Sequence, residues 1–292
     1  MPQFRSDLTL ETAEQLGIAG KKAKRVDGVR VMDSLLEGYT VTSITVSTET
    51  GSRALGKPMG RYITVNLQPY FQRQAHFFSR GVRCLGRELR HLLPRLKDGD
   101  TVLVAGLGNR QLSCDAVGPV AVENLLVTRH MVSAAPHHFR HFTSVAAIIT
   151  GVVGQTGVET QELIAGTVER ISPAAVIVID ALCARSHHRL CTTVQLSDTG
   201  LTPGSGVGNH RAAIDAAALG VPVIAIGIPT IIAGSTLAHE LTGNVPHEDD
   251  ELFLTPRDVS TRVNELGRLI GYSITTALQP SLTVEDITGL LS

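Results

Sequence analysis

No run in this sequence is long and apolar enough to cross a bilayer. The longest apolar stretch, 221–233, is interrupted by Pro222, Gly227 and Pro229, and a span needs about 20 apolar residues. The opening MPQFRSDLTLE lacks the apolar core of a signal peptide, so the cytoplasm is the expected compartment. Cysteine is scarce as well. Cys84, Cys114, Cys183 and Cys191 are four in 292 residues without a Cys-x-x-Cys pair, which excludes a disulfide framework and points to buried, reduced thiols. The eleven histidines include no His-Glu-x-x-His, which excludes a zincin. An excess of charge of one sign is also missing: the formal net charge is -1, too balanced for bulk attraction to nucleic acid. What remains, 43% hydrophobic and 18% charged residues, describes a folded globular chain long enough for a substantial core.

What is there is organised around residues 101–130. TVLVA at 101–105 follows the turn-forming Lys97-Asp98-Gly99-Asp100, as a buried parallel strand should. Gly106 and Gly108 permit a sharp turn, and Asp115 stands in the loop. Pro119, then Val120, Val122, Leu125, Leu126 and Arg129, predicts a helix from about position 119. AVIVI at 175–179 repeats the strand pattern with Asp180 directly after it. Parallel strands joined by helical crossovers carry both aspartates to the carboxyl edge of one sheet, the usual place for ligands and chemistry. The competing account is that each aspartate caps a helix or closes a turn.

From 101 to 232, strand-like runs (101–105, 144–149, 175–179, 222–228) alternate with helical stretches, which predicts a three-layer α/β/α core with a mostly parallel sheet. Thr156-Gly157-Val158-Glu159 has the spacing of a capping box opening a helix through Arg170, with Pro173 beyond its end. RLCTTVQL at 189–196 reads as a further strand, and His187-His188 before it as a surface pair. Residues 26–98 form a smaller β-containing N-terminal extension. Within it, 39–47 and 62–67 alternate apolar and polar residues as half-buried antiparallel strands, and GKPMG at 56–60 is a loop. Phe71, Ala75, Phe78, Val82, Leu85, Leu89 and Leu92 predict one amphipathic helix, on which Arg80, Arg83, Arg87 and Arg90 make a solvated basic stripe. Residues 239–252 read as an exposed acidic linker and 255–278 as a closing helix. The whole is expected to be one domain.

GLGN followed by Asp-Ala-Val-Gly-Pro and ENLLVTRH, then AIITGVVGQTGVE (147–159), IDALCARS (179–186), QLSDTGLTPGSGVGNHR (195–211) and LGVPVIAIGIPTI (219–231), stand here in a particular order. In that order they resemble the germination proteases of endospore-forming bacteria, atypical aspartic peptidases that degrade small acid-soluble spore proteins. The resemblance implies catalytic aspartates at Asp115 and Asp180. It makes Gly108, Asn109, Gly157, Glu159, Arg185, Gly206 and Asn209 candidate substrate-binding residues. The core offers two acids but no histidine or cysteine at a third ligand position, so no metal is expected; no cofactor, membrane or direct nucleic-acid binding is expected either, and the resemblance adds small acid-soluble spore proteins as partners and a homotetramer in the cytoplasm of the spore core. It also implies a precursor: RSDLTLE at 5–11 resembles the family's propeptide junction, so residues 1–7 would be removed by a cut between Asp7 and Leu8. An ordinary frayed N-terminus is the competing account. The chain departs from the family at Cys114, where larger relatives carry proline, and past Ser235, where they carry a long insertion.

Two carboxylates that share a water cannot both ionise easily, so one stays protonated while the other acts as general base. Asp198-Thr199-Gly200 spells the tripeptide of pepsin-like proteases, but those are all-β and use two copies; Asp198 therefore reads as a turn residue. Ser205 in Pro203-Gly204-Ser205-Gly206-Val207 lacks the outer glycines of a nucleophile elbow. A nickel-dependent site like that of the hydrogenase maturation endopeptidases, which the core resembles, would want a histidine after a late core strand, where Gly227-Ile228-Pro229 stands. A nucleotide-binding module would want a glycine where Gln111 is.

Overall fold

The computed structural model describes residues 6–20, 24–208, 211–243 and 252–292. Short apolar and β-branched runs build β1 (Val29–Leu36), β2 (Tyr39–Val46), β3 (Gly60–Asn66), β4 (Thr101–Leu107), β5 (Ser144–Gly151), β6 (Ala175–Ala184), β7 (Thr193–Ser197), β8 (Val223–Ala233) and β9 (Phe253–Leu254). Together they form one nine-stranded sheet in the order β1-β2-β3-β7-β8-β6-β4-β5, with β9 added to the end of β8. β8, β6, β4 and β5 are parallel, while β7, β3, β2 and β1 each run antiparallel to the neighbour before them. The N-terminal strands thus continue the core sheet through the β3–β7 ladder.

Alternation of side chains across each strand gives the sheet two apolar faces, and helices cover both. On one face, Val102, Val104, Ile177, Ile179 and Leu196 pack against Val82, Leu85 and Leu89 of the helix Phe77–Leu92, Val120 of Val117–Glu123, and Leu266 and Leu269 of Val259–Leu278. On the other, the helix Thr160–Ile171 lays Ile164 and Val168 over Leu103, Ala105, Val176 and Val178. Beside it, helices Thr9–Gln15 and Glu49–Leu55 cover Ile44 and Tyr62. Each fully buried Leu or Ile contributes roughly 1.5–3 kcal/mol. This is the expected three-layer α/β/α arrangement.

Local departures from the sequence pattern have local causes. The amphipathic helix begins at Phe77, because Arg73 (φ 52°) and His76 (φ 57°) are left-handed and separate it from the turn Gln68–Phe71. The helix after Asp115 spans Val117–Glu123, so Pro119 lies inside its first turn. The chain then leaves the helix because Thr128, fully buried, donates to the Thr143 carbonyl and accepts the Val145 N–H of β5. The capping box is built three residues later than its predicted spacing. Gly157 (φ 70°) ends the short helix Val153–Thr156, and Glu159 caps the next one with Glu162 answering. β6 and β8 outrun their predicted ends, and Asp180 lies within β6. In the basic stripe, Arg83 pairs with Glu37 while Arg80 and Arg90 donate to backbone carbonyls of Glu37, Thr276 and Ala277. Residues 239–242 belong to the helix Gly234–Thr242, whereas 244–251 lie outside the described residues.

The helix Val117–Glu123 sits unusually close to the sheet. A Cβ at Gly118 would stand 2.3 Å from the Leu107 carbonyl oxygen and 2.7 Å from that of Ile179. Only glycine lets the turn carrying Asp115 settle between β4 and β6. Gly118→Ala should destabilise the protein by at least about 2 kcal/mol, since overpacking against backbone has no flexible side chain to move. Gly166→Ala, on an open face of Thr160–Ile171 with nothing within 4 Å, should be neutral or stabilise by about 0.5–1 kcal/mol through helix propensity. Urea unfolding of the two variants measures both.

Candidate active site

β4 and β6 pair only as far as Gly106 and Ile179. Asp180 is the next residue of β6, still laddered to Gly227 of β8 on its other side. By alternation it follows Val176 and Val178 onto the face opposite the three large helices. It is therefore an acid in the middle of a strand but at the end of one ladder, where the sheet has just lost a neighbour. Its residue is 8% exposed, and its carboxylate oxygen accepts the Ala181 N–H at 2.9 Å.

β4 leaves the sheet at Gly108, whose φ of 104° and 2.1 Å approach of a would-be Cβ to the Asp115 carbonyl oxygen admit no side chain. The chain returns through a single turn, Ser113–Asp115. The Asn109 N–H donates to Asp115 Oδ2 at 2.8 Å, and Thr230 Oγ1 of β8 donates to the Cys114 carbonyl at 2.6 Å, fastening the turn to the sheet. Asp115 and Asp180 line one cavity of about 550 Å³. Burial pushes the Asp180 carboxyl up to about 8, with the Asp115 charge adding to the rise. Asp115, half-buried, is raised by burial and held back by the Asn109 N–H. A carboxyl pushed to hold its proton, sharing a cavity with one whose carboxylate accepts a backbone N–H, is an arrangement suited to general acid and base work.

The same cavity takes in Asp7 and Thr9. The Asp7 N–H donates to the Cys183 carbonyl at 3.0 Å. Its carboxylate accepts the Cys183 N–H at 2.9 Å and the Ser205 hydroxyl at 2.6 Å, and its charge adds to the rise at Asp180. Leu8 is fully buried among Leu182, Ala184, Leu190 and Ile232. Glu11, 3% exposed, accepts the N–H groups of Arg185 and Ser186 at 2.7 and 3.0 Å. Residues 6–8 are thus anchored, not frayed.

Of the residues singled out from sequence, Asp7, Gly108, Asp115, Asp180 and Gly206 line the cavity. Gly206 backs onto Asp7, whose Oδ2 would lie 2.2 Å from a Cβ there. Asn109 acts through Asp115 and holds Gln155 through its side-chain oxygen. Glu159 reaches the cavity only through its ion pair with Arg211. Gly157 is an exposed helix terminus. Arg185 lies in a neighbouring depression with Glu11 and Glu240, and Asn209 lies outside the described residues. Asp198 holds β3 to β7, accepting the Arg61 N–H at 2.7 Å and pairing with its guanidinium at 2.9 Å. Sequence reasoning passed over Lys57, Gln195 and the contact of Ser205 with Asp7. Their signal lay in GKPMG and QLSDTG, whose polar residues have no strand-end pattern to mark them. Among the described residues, no group of three or more His, Cys, Asp or Glu side chains is placed to hold a metal ion.

Comparison with known proteins gives the family. The family model described as germination protease matches residues 6–247. A germination protease of Caldanaerobacter subterraneus subsp. tengcongensis is 36% identical over 323 residues, covering 99% of this chain and 98% of the relative. One of Clostridium perfringens is 32% identical over 328 residues, covering 100% of both, and one of Bacillus cereus is 41% identical over 232 residues, covering 78% of this chain and 63% of the relative. With the family model spanning most of its length and relatives matching it end to end, the chain belongs to the germination protease family.

Proposed function

We propose that this protease is an aspartic-type endopeptidase that hydrolyses small acid-soluble spore proteins, with Asp115 and Asp180 activating water between them. The observation that carries this reading is the meeting of two carboxyls in one cavity, the buried Asp180 and the half-buried Asp115, whose carboxylate accepts the Asn109 N–H, with burial raising the proton affinity of Asp180. Asp115 takes a proton from water as the water oxygen bonds to the scissile carbonyl carbon. Asp180 hydrogen-bonds the carbonyl oxygen and gives its proton to the leaving nitrogen as the C–N bond breaks. No covalent intermediate forms. The family resemblance adds a homotetramer working in the cytoplasm of the spore core, and a precursor that loses residues 1–7. The position of Asp7 in the cavity, with Leu8 anchored in the apolar cluster beside it, supports that last step.

Asp115→Asn and Asp180→Asn should each slow cleavage of a purified small acid-soluble spore protein by about 100-fold or more. The double variant should be hardly slower than the worse single one, because the two act as a unit. Asp198→Asn should keep near-normal activity. A folded single variant at either of the first two positions with wild-type rates sinks the reading.

The raised Asp180 also links stability to pH. Its folded form holds a proton up to about 8, against 3.8 for the free side chain, so between those values the native state binds more protons than the unfolded chain. The stabilisation is whole below pH 3.8 and is lost as the pH rises towards 8. Asp180→Asn cannot ionise, so its stability relative to wild type in urea should improve from pH 4 to pH 8. In wild type, cleavage should fall as the pH passes about 8.

Protein brought to mildly acidic pH should lose its first seven residues. Intact mass spectrometry that finds full-length chain under every condition giving activity rules out the precursor.

A further inference from the structure

Asp7 and Thr9, on either side of the buried Leu8, line the acid cavity, and the carbonyl oxygen of the Asp7–Leu8 bond is already engaged. Lys57 Nζ donates to that oxygen at 3.1 Å and Gln195 Nε2 approaches it at 3.4 Å. The Gln195 amide oxygen accepts the Thr9 N–H at 2.7 Å, so one side chain spans both sides of the bond. Gln195 is placed for this by the sheet. It ladders with Gly227 of β8, and Gly227 ladders in turn with Asp180 of β6. Val194 and Leu196 face the large helices, so Gln195 shares the Asp180 face, with a residue lacking a side chain between them.

Lys57 is harder to explain as scaffold. Lysine ordinarily keeps its ammonium in water, yet half-buried Lys57 lines the cavity and its ammonium meets a peptide carbonyl beside the Asp7 carboxylate. Burial holds it below the usual lysine range, and the Asp7 carboxylate opposes that shift. A cation turned inward onto one peptide oxygen is an electrostatic stabiliser for the negative charge that this oxygen acquires when water adds to the carbonyl carbon.

We propose that Lys57 and Gln195 form the carbonyl-binding site of this protease, holding and polarising the oxygen of the bond to be cut, with the Asp7–Leu8 peptide of the same chain seated there as its first substrate. This rests on the reading of Asp115 and Asp180 as the water-activating pair. Neither Lys57 nor Gln195 exchanges a proton in the step. They donate hydrogen bonds while the C–O bond forms, the C–N bond breaks, and the protons move from water to Asp115 and from Asp180 to nitrogen.

The test uses the full-length chain. The first-order rate of loss of residues 1–7 is followed by intact mass from pH 4 to 8 in wild type and in Lys57→Met, Lys57→Arg, Gln195→Glu and Asp115→Asn. Lys57→Met should be slower by about 100-fold or more, the loss typical of removing one such donor. Lys57→Arg, which keeps a cation and donors, should recover part of that loss, whereas a merely structural role would not respond to restored charge. Gln195→Glu keeps an acceptor for Thr9 but loses the donor, and should be slower by about 10-fold or more. Thermal unfolding checks the fold. If Lys57→Met unfolds at the assay temperature, Gln195→Glu and Lys57→Arg decide, and wild-type rates in both overturn the proposal. Rates at or above wild type in folded Lys57→Met overturn it too, as does a wild-type chain that never opens the Asp7–Leu8 bond. An Asp115→Asn chain that processes normally defeats the aspartate reading instead. An inactive Asp115→Asn beside a fully active Lys57→Met leaves that reading standing and removes only the carbonyl site.

Discussion

A carboxyl group enclosed within a sheet strand must keep its proton or find a compensating donor, because the ionised form loses its hydration and gains little in return. Asp180 is such a group, and much around it follows from its position. β4 has to end where Asp180 begins, or the cavity above the acid would be closed by sheet. The turn that replaces β4 must bring a second acid close, and it does so only because Gly108 and Gly118 remove the atoms that would hold it away. Thr230 then fixes the turn from the opposite strand.

The N-terminal segment answers a second constraint. Past Ile179, β6 lacks β4 as a neighbour and exposes backbone groups that need partners. Asp7 takes both the N–H and the carbonyl of Cys183, and the Glu11 carboxylate takes the N–H groups of Arg185 and Ser186. The chain thereby lays part of itself along an open strand edge, the way an extended peptide is bound by strand addition. Glu11 is raised by burial for the same reason as Asp180, though its donors and Arg189 oppose the shift. Holding these acids and Lys57 out of water costs stability, which the two apolar faces of the sheet offset.

The strands of the core and the two aspartates were legible because a buried parallel strand has a plain signature: an apolar run with a polar residue where the run stops. The helices were less legible. The break between Phe71 and Phe77 rests on left-handed backbone at Arg73 and His76, which side-chain periodicity does not register. The early end of the helix at Glu123 depends on Thr128 reaching β5, a contact from outside the segment. The pairing of Asp198 with Arg61 likewise joins residues 137 positions apart.

By itself the sequence determined the layer architecture, the parallel core and the presence of an acid after each of two apolar strand runs, since hydrophobic period and turn chemistry are local properties. Only the tertiary structure decided that Asp180 lies inside β6 and not after it, because a strand's length depends on which neighbours remain to pair with it. Only it decided which of the two acids is the better buried, since desolvation is a property of the packed environment. It also brought Asp7, Lys57 and Gln195 to one peptide bond. Those three come from an N-terminal segment, a loop and a mid-sheet strand, and chain distance carries no trace of their meeting.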